Sequence, residues 1–225
     1  MPYLKDKQIV RLYRSIGLGL ILASAIYLVL SESTQKWLAV LVGWILFAAS
    51  SAAYQYLIHR RSDANLKRIF QKTGGTLKRG NYIFSTPPSI KFRYGGKACQ
   101  IGHSIDTKFD SQIEYICQTD LEMELRITRR NNQQKTPRRD FVERFSVTGE
   151  NRDFADILSV NPRDRRILEE LMEDFGSFYL GKDGQMKLVE TFDSFLTAPE
   201  IAFPVFNKMI KLADFFETES KKSDQ

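Results

Sequence analysis

Histidine and cysteine are scarce in this chain: two of each among 225 residues. That scarcity removes most of the usual routes to metal binding and to nucleophilic catalysis. Cys99 and Cys117 are not in CxxC spacing, and no HExxH or Cys/His cluster is present. Cys99 and His103, with Cys117 as a third ligand, make a poor zinc set. On a strand, positions four apart lie about 13 Å from one another, too far to share one ion. No GxxxxGK[ST] cradle, no GxGxxG after a strand and no GxSxG elbow occurs. Gly74-Gly75 and Gly95-Gly96 read as a helix stop and a turn. The carboxylates Asp106, Asp110, Glu114 and Asp120 are scattered over strands and loops and read as solvated surface. Neither a catalytic residue, a metal site nor a cofactor is expected on these grounds.

The mean hydropathy of −0.31 conceals a division. Residues 15–58 are strongly apolar and the remainder is charged. Ile16–Leu30 is a charge-free run of 15 residues, about 22 Å of helix, extended by Leu12, Tyr13 and Ser31. Trp37–Ile58 is a second run of 22 residues, long enough to cross a bilayer with tilt. The six residues Ser31–Lys36 between them can join only antiparallel neighbours. The expectation is a transmembrane hairpin over 15–58, with spans at about 15–31 and 37–58. Trp37, Tyr54 and Tyr56 suit the aromatic belts of the two interfaces. A cleaved signal peptide is the weaker reading, because the apolar run continues five residues past the small-residue site Ala23-Ser24-Ala25. Core helices of a soluble protein would not be framed by cations on both sides.

Charge sets the orientation. Residues 1–79 carry 12 Lys/Arg against 3 Asp/Glu, whereas residues 150–225 carry 10 against 16. Lys5, Lys7, Arg11 and Arg14 precede the first span. Arg60, Arg61, Lys67 and Arg68 follow the second, and the connecting loop holds only Lys36. The positive-inside rule then places both termini in the cytoplasm, and a compact layout of this kind suggests a prokaryotic inner membrane. The surplus sits beside the apolar segments, so the lipid bilayer is the expected partner and nucleic acid is not. Gly19 and Ala23, Ala48 and Ala52, and Ala49 and Ala53 are spaced for close helix packing, within the hairpin or against another chain.

The soluble part reads as α+β, a mainly antiparallel sheet with about three helices over 80–217. A 1–14 segment precedes the hairpin. A basic helical neck over 59–79, with Ile58, Leu66, Ile69 and Phe70 on one face, sets the domain off from the bilayer. A polar, unstructured tail over 218–225 follows the domain. Strands are expected at Ser89–Tyr94, Lys97–Ser104, Gln112–Gln118, Leu121–Thr128 and Phe141–Val147. A hairpin is expected around Asp183-Gly184, between Phe178–Lys182 and Gln185–Glu190. Helices are expected over Arg152–Leu158, from Pro162 to Phe175, and over Pro204–Glu217.

One basic cluster lies away from the membrane: Arg129, Arg130, Lys135, Arg138 and Arg139, a set suited to phosphate-bearing surfaces. With no aromatic interleaved, it does not resemble a single-strand nucleic-acid site. Three functions follow as expectations. The first is a membrane-anchored interaction or scaffold module, non-enzymatic, with a protein partner or a homo-oligomer. The second is a membrane-surface enzyme built around His103. The third is an anionic-lipid sensor using the Arg129–Arg139 loop.

Overall fold

The computed structural model describes residues 6–30, 36–80, 88–105, 111–129, 144–149, 162–191 and 193–223. Among them are four helices and one antiparallel sheet of eight strands, an α+β arrangement. Helices α1 (Asp6–Leu30) and α2 (Lys36–Thr73) are followed by β1 (Thr76–Lys78), β2 (Ser89–Tyr94), β3 (Lys97–Ile105), β4 (Ser111–Gln118), β5 (Leu125–Arg129) and β6 (Phe145–Gly149). Next come α3 (Pro162–Asp174), β7 (Ser177–Leu180), β8 (Gln185–Thr191), a 3-10 turn (Ser194–Thr197) and α4 (Pro199–Ser223). The strands lie in the order β1-β2-β3-β4-β8-β7-β5-β6.

Helix α2 is long and apolar enough to cross a membrane, and the apolar window within it is wholly unburied. The apolar part of α1, Ser15–Val29, is shorter than a span. The expected pair of membrane spans therefore reduces here to one candidate, with α1 antiparallel beside it. Tyr13 stacks on Tyr54 at 5.3 Å between ring centroids and lies 6.3 Å from Phe47. Leu20 and Tyr27, further along α1, line a groove with Val40 and Trp44 near the start of α2.

The sheet buries one face. Ile90 and Phe92, Cys99 and Ile101, Ile113, Tyr115 and Cys117, Met186 and Leu188, and Phe178 and Leu180 alternate with more accessible residues and form the core floor. This period of two is what a half-buried strand requires. Helices cover that floor. Leu168, Leu171 and Met172 come from α3, Phe175 from just after it, and Ala202, Val205, Phe206, Met209, Leu212, Ala213 and Phe216 from α4. The third cover is α2 itself: Leu66 and Ile69 are fully buried in the same cluster. Residues 59–73 are thus not a free spacer but part of the domain core. Phe70, expected on that face, turns outward and is exposed.

Turn chemistry explains several boundaries. Gly74 and Gly75 both have positive φ, at 68° and 98°, and end α2; Gly74 N–H reaches the Phe70 carbonyl at 2.8 Å. Gly95 and Gly96, also at positive φ, close the two-residue turn between β2 and β3. The second hairpin differs from the expected two-residue Asp-Gly turn. Gly184 N–H bonds to the Gly181 carbonyl at 2.9 Å, Gly184 adopts φ 71°, and Gly181 N–H bonds to the Gln185 carbonyl at 3.0 Å. This is a three-residue loop with a glycine bulge, so β7 stops at Leu180 instead of running to Lys182.

Three further boundaries move. The strand expected from Leu121 begins at Leu125. Thr119 and Glu217 capture the backbone upstream of it: Leu121 N–H donates to Thr119 Oγ1 at 3.3 Å, and Asp120 N–H to Glu217 Oε1 at 3.2 Å. Helix α4 begins at Pro199, the favoured first-turn position, and carries Pro204 inside it. It also runs through Ser223, taking in most of the tail expected to be unstructured. The helix expected at Arg152–Leu158 lies outside the described residues.

Candidate functional site

The place where α2 leaves its bare apolar half and enters the domain concentrates the polar chemistry of the structure. Outward of it α1 and α2 present apolar side chains to their surroundings, with Leu18 64 %, Val29 81 %, Trp37 65 % and Leu46 65 % exposed. Contiguous apolar exposure of this extent is rare on a water-soluble monomer. Inward of it, α2 is locked to the 3-10 turn and α4. Asn65 Nδ2 donates to the Ser194 carbonyl at 3.2 Å and to Thr197 Oγ1 at 3.3 Å. Thr197 Oγ1 in turn donates to the Ser194 carbonyl at 2.7 Å. Asp193 caps the turn by accepting from Phe195 N–H at 3.0 Å. Arg61 lies over the Phe195 ring at 4.7 Å, and Arg68 pairs with Glu200. Asn65, Asp193, Ser194 and Thr197 are all buried, so this joint is a satisfied polar network inside an apolar core.

Two histidines flank the joint. His103 Nδ1 lies 2.6 Å from the Pro88 carbonyl. A carbonyl oxygen only accepts, so the ring proton sits on Nδ1. Burial disfavours the charged ring, the Pro88 bond partly counters this, and nearby His59 adds to it; the pKa is lowered to about 4. At neutral pH His103 is therefore an uncharged structural donor. Asp63 accepts from Gly80 N–H at 3.4 Å on the same side of the joint. Among the described residues no three His, Cys, Asp or Glu side chains come together to hold a metal ion.

The low pKa has a consequence for stability. Between pH about 4 and 6.5 the unfolded chain binds a proton at this position that the folded one does not. Stability from His103 is thus present above pH 6.5 and is lost as pH falls towards 4. The full shift corresponds to about 3 kcal/mol, and partial solvent contact reduces this to about 2 kcal/mol. A His103→Gln variant is expected to lose less stability than wild type between pH 7.5 and pH 4.5 in guanidinium titrations. Equal losses in the two proteins would contradict this assignment.

The remaining sequence-derived candidates are placed as follows. Arg129 is the last residue of β5, exposed and paired in register with Phe145. Arg130, Lys135, Arg138 and Arg139 lie outside the described residues, so only one of the five cluster members has a position. Of the topology cations, Lys5 is also outside; Lys7, Arg11 and Arg14 are on α1, and Arg60 and Lys67 are exposed on α2. Ala48, Ala49, Ala52 and Ala53 face outward, and a Cβ on Gly19 would meet nothing within 4 Å. Ala23 lines the groove with Leu20 and Trp44. The close contact inside the hairpin is made by Gly17, where a Cβ would stand 3.1 Å from the Phe47 ring. The small-residue spacing did not pick out Gly17, because its partner is an aromatic ring and not a second small residue. Nor did the sequence mark Asn65, a lone amide in a basic stretch; its partners are more than 125 residues away in the chain.

In comparisons with protein-family models, with curated proteins and with solved structures, the chain matches none.

Proposed function

We propose that this chain is a two-pass protein of a prokaryotic inner membrane, both termini cytoplasmic, whose α+β domain is a non-enzymatic interaction or scaffold module. The observation that carries this reading is the continuity of α2. One helix of 38 residues has a bare apolar half and a half buried in the domain core. An enzyme that merely needs tethering works on a flexible linker; a helix shared between anchor and core fixes the domain's height and angle over the bilayer. Such fixed geometry suits a module that braces or recruits another protein. Helix α1 supports the second span: its apolar stretch Ser15–Val29, about 22 Å of helix, lies beside α2 and is lengthened by Leu12 and Tyr13. The cations around both helices keep the flanks on the cytoplasmic side.

The test is cross-linking in native membranes, purification of the tagged full-length protein in mild detergent, and identification of co-purifying proteins. The expected result is one protein, or a second copy of the chain, recovered in fixed ratio. The same yield from a chain carrying only the hairpin would move the interaction into the membrane. A solitary monomer would overturn the module reading.

A further inference from the structure

Cys99 and Cys117, 18 positions apart in the sequence, are direct register partners in β3 and β4. Opposed residues of an antiparallel pair put their side chains on the same face, with Cα atoms about 4.5 or 5.5 Å apart. Both spacings fall within the range of about 4.4–6.8 Å that a disulfide needs. The two lie in a row that crosses the sheet from Phe92 through Cys99 and Cys117 to Met186, all on the core face. Cys99 is 3 % exposed and Cys117 is 0 %. Both are free thiols in the structure.

The surroundings favour one reduced pair with divided roles. Each thiol lies within reach of a carbonyl on its own strand, Cys99 Sγ of Lys97 at 3.8 Å and Cys117 Sγ of Gln118 at 3.9 Å. The interaction between the two sulfurs pushes the Cys99 pKa up and draws that of Cys117 below its ordinary value. Lys97 adds a positive charge beside Cys117. Its ammonium group is largely shielded and is fixed by Glu217 at 2.7 Å and Asp214 at 3.6 Å, both from α4. The neighbouring thiol and the Lys97 cation favour the Cys117 thiolate, against burial and the carboxylates of Glu217 and Asp214, which oppose it.

We infer that Cys99 and Cys117 form a redox modification site, a dithiol that closes reversibly to a cross-strand disulfide with a small peroxide as oxidant. The Cys117 thiolate attacks one peroxide oxygen, the O–O bond breaks, and Cys117 becomes a sulfenic acid as the first water leaves. The Cys99 sulfur then attacks the Cys117 sulfur. The S–S bond forms, the S–O bond breaks, and the hydroxyl departs with the Cys99 proton as the second water. Two thiols and one peroxide thus give one disulfide and two waters. An external thiol reopens the bond by exchange. Burial selects the oxidant: Cys99 is 3 % exposed and Cys117 0 %, so even a small peroxide reaches Cys117 only through a small local opening, and a bulky disulfide reagent needs a larger one. This site stands independently of the scaffold reading.

The experiment uses the full-length protein in detergent micelles. Native protein is treated with hydrogen peroxide or with oxidised glutathione, then denatured and labelled with maleimide, and digested with trypsin without reduction. The expected result with peroxide is joint loss of both thiols with the far-UV spectrum unchanged. A cross-linked pair of peptides, 98–108 with 109–126, should appear and should vanish on adding dithiothreitol. Glutathione disulfide is expected to act more slowly than peroxide. Retention of both thiols in the folded protein, loss of one alone, a bond between two chains, or a disulfide seen only after unfolding would each overturn the inference.

Discussion

Replacing Phe206 by Ala is expected to lower the unfolding free energy of the domain by about 4 kcal/mol. Phe206 is fully buried in the first third of α4. Its ring meets Phe92 of β2 edge-on at 5.2 Å and Tyr115 of β4, also at 5.2 Å, at a tilt of 46°. Tyr115 is itself buried, packs edge-on against Phe175 just after α3, and donates its hydroxyl proton to the Leu196 carbonyl. Truncation at 206 therefore removes the ring on which a helix and two strands converge. The hole cannot close easily, since Tyr115 is held at its hydroxyl end. Phe203→Ala is the control on the same helix. Its ring is only partly buried, against Tyr94 and Lys72, and a loss of about 1 kcal/mol is expected. Guanidinium titration in micelles, followed by far-UV circular dichroism, measures both. Tryptophan fluorescence does not serve, because Trp37 and Trp44 lie in the apolar half of α2. Equal losses at 203 and 206 would show that the centre of the core lies elsewhere.

Leu46→Lys tests the anchor, and its sign separates two accounts of α2. Leu46 is 65 % exposed near the middle of the apolar half. In water, exchanging an exposed leucine for lysine costs nothing and improves solubility. At the centre of a bilayer the exchange costs about 3 kcal/mol of insertion free energy. The expected outcome is a marked fall in the fraction of protein that stays with membranes through alkaline carbonate extraction. Lys67→Leu, at an exposed position in the half docked on the domain, should leave that fraction unchanged. Full membrane retention of Leu46→Lys would argue against a span at this position.

Short-range patterns in this chain are reliable where one physical rule acts alone. Alternation in Ser89–Tyr94, the Gly95-Gly96 turn and the stripe Ile167, Leu168, Leu171, Met172, Phe175 each follow from the need to bury one face, and each stands in the structure as the pattern implies, except that Ile167 is only partly buried at the stripe's edge. Patterns mislead where a distant residue intervenes. The alternation of Leu121 to Thr128 is real, yet Glu217 of α4, 97 positions away from Asp120, takes one of the N–H groups just before that run. Pro204 suggests a helix start, but the turn capped by Asp193 already sets the chain at Pro199. The domain boundary drawn at residue 80 follows composition, whereas Leu66 and Ile69 cross it because an amphipathic helix end next to an open sheet face covers that face.

By itself the amino-acid order determined the class of the fold, the apolar region at residues 15–58, the charge asymmetry around it and the absence of the common catalytic motifs. These properties are written in neighbouring residues, within the reach of a helix turn or a strand pleat. Tertiary structure alone decided that α2 belongs to the exposed apolar segment and to the domain core at once, that Asn65 meets Ser194 and Thr197, and that Cys99 faces Cys117. Each of those depends on strand register or helix docking between segments far apart in the chain. Register is selected by the burial of the whole sheet face, which no local window of sequence contains.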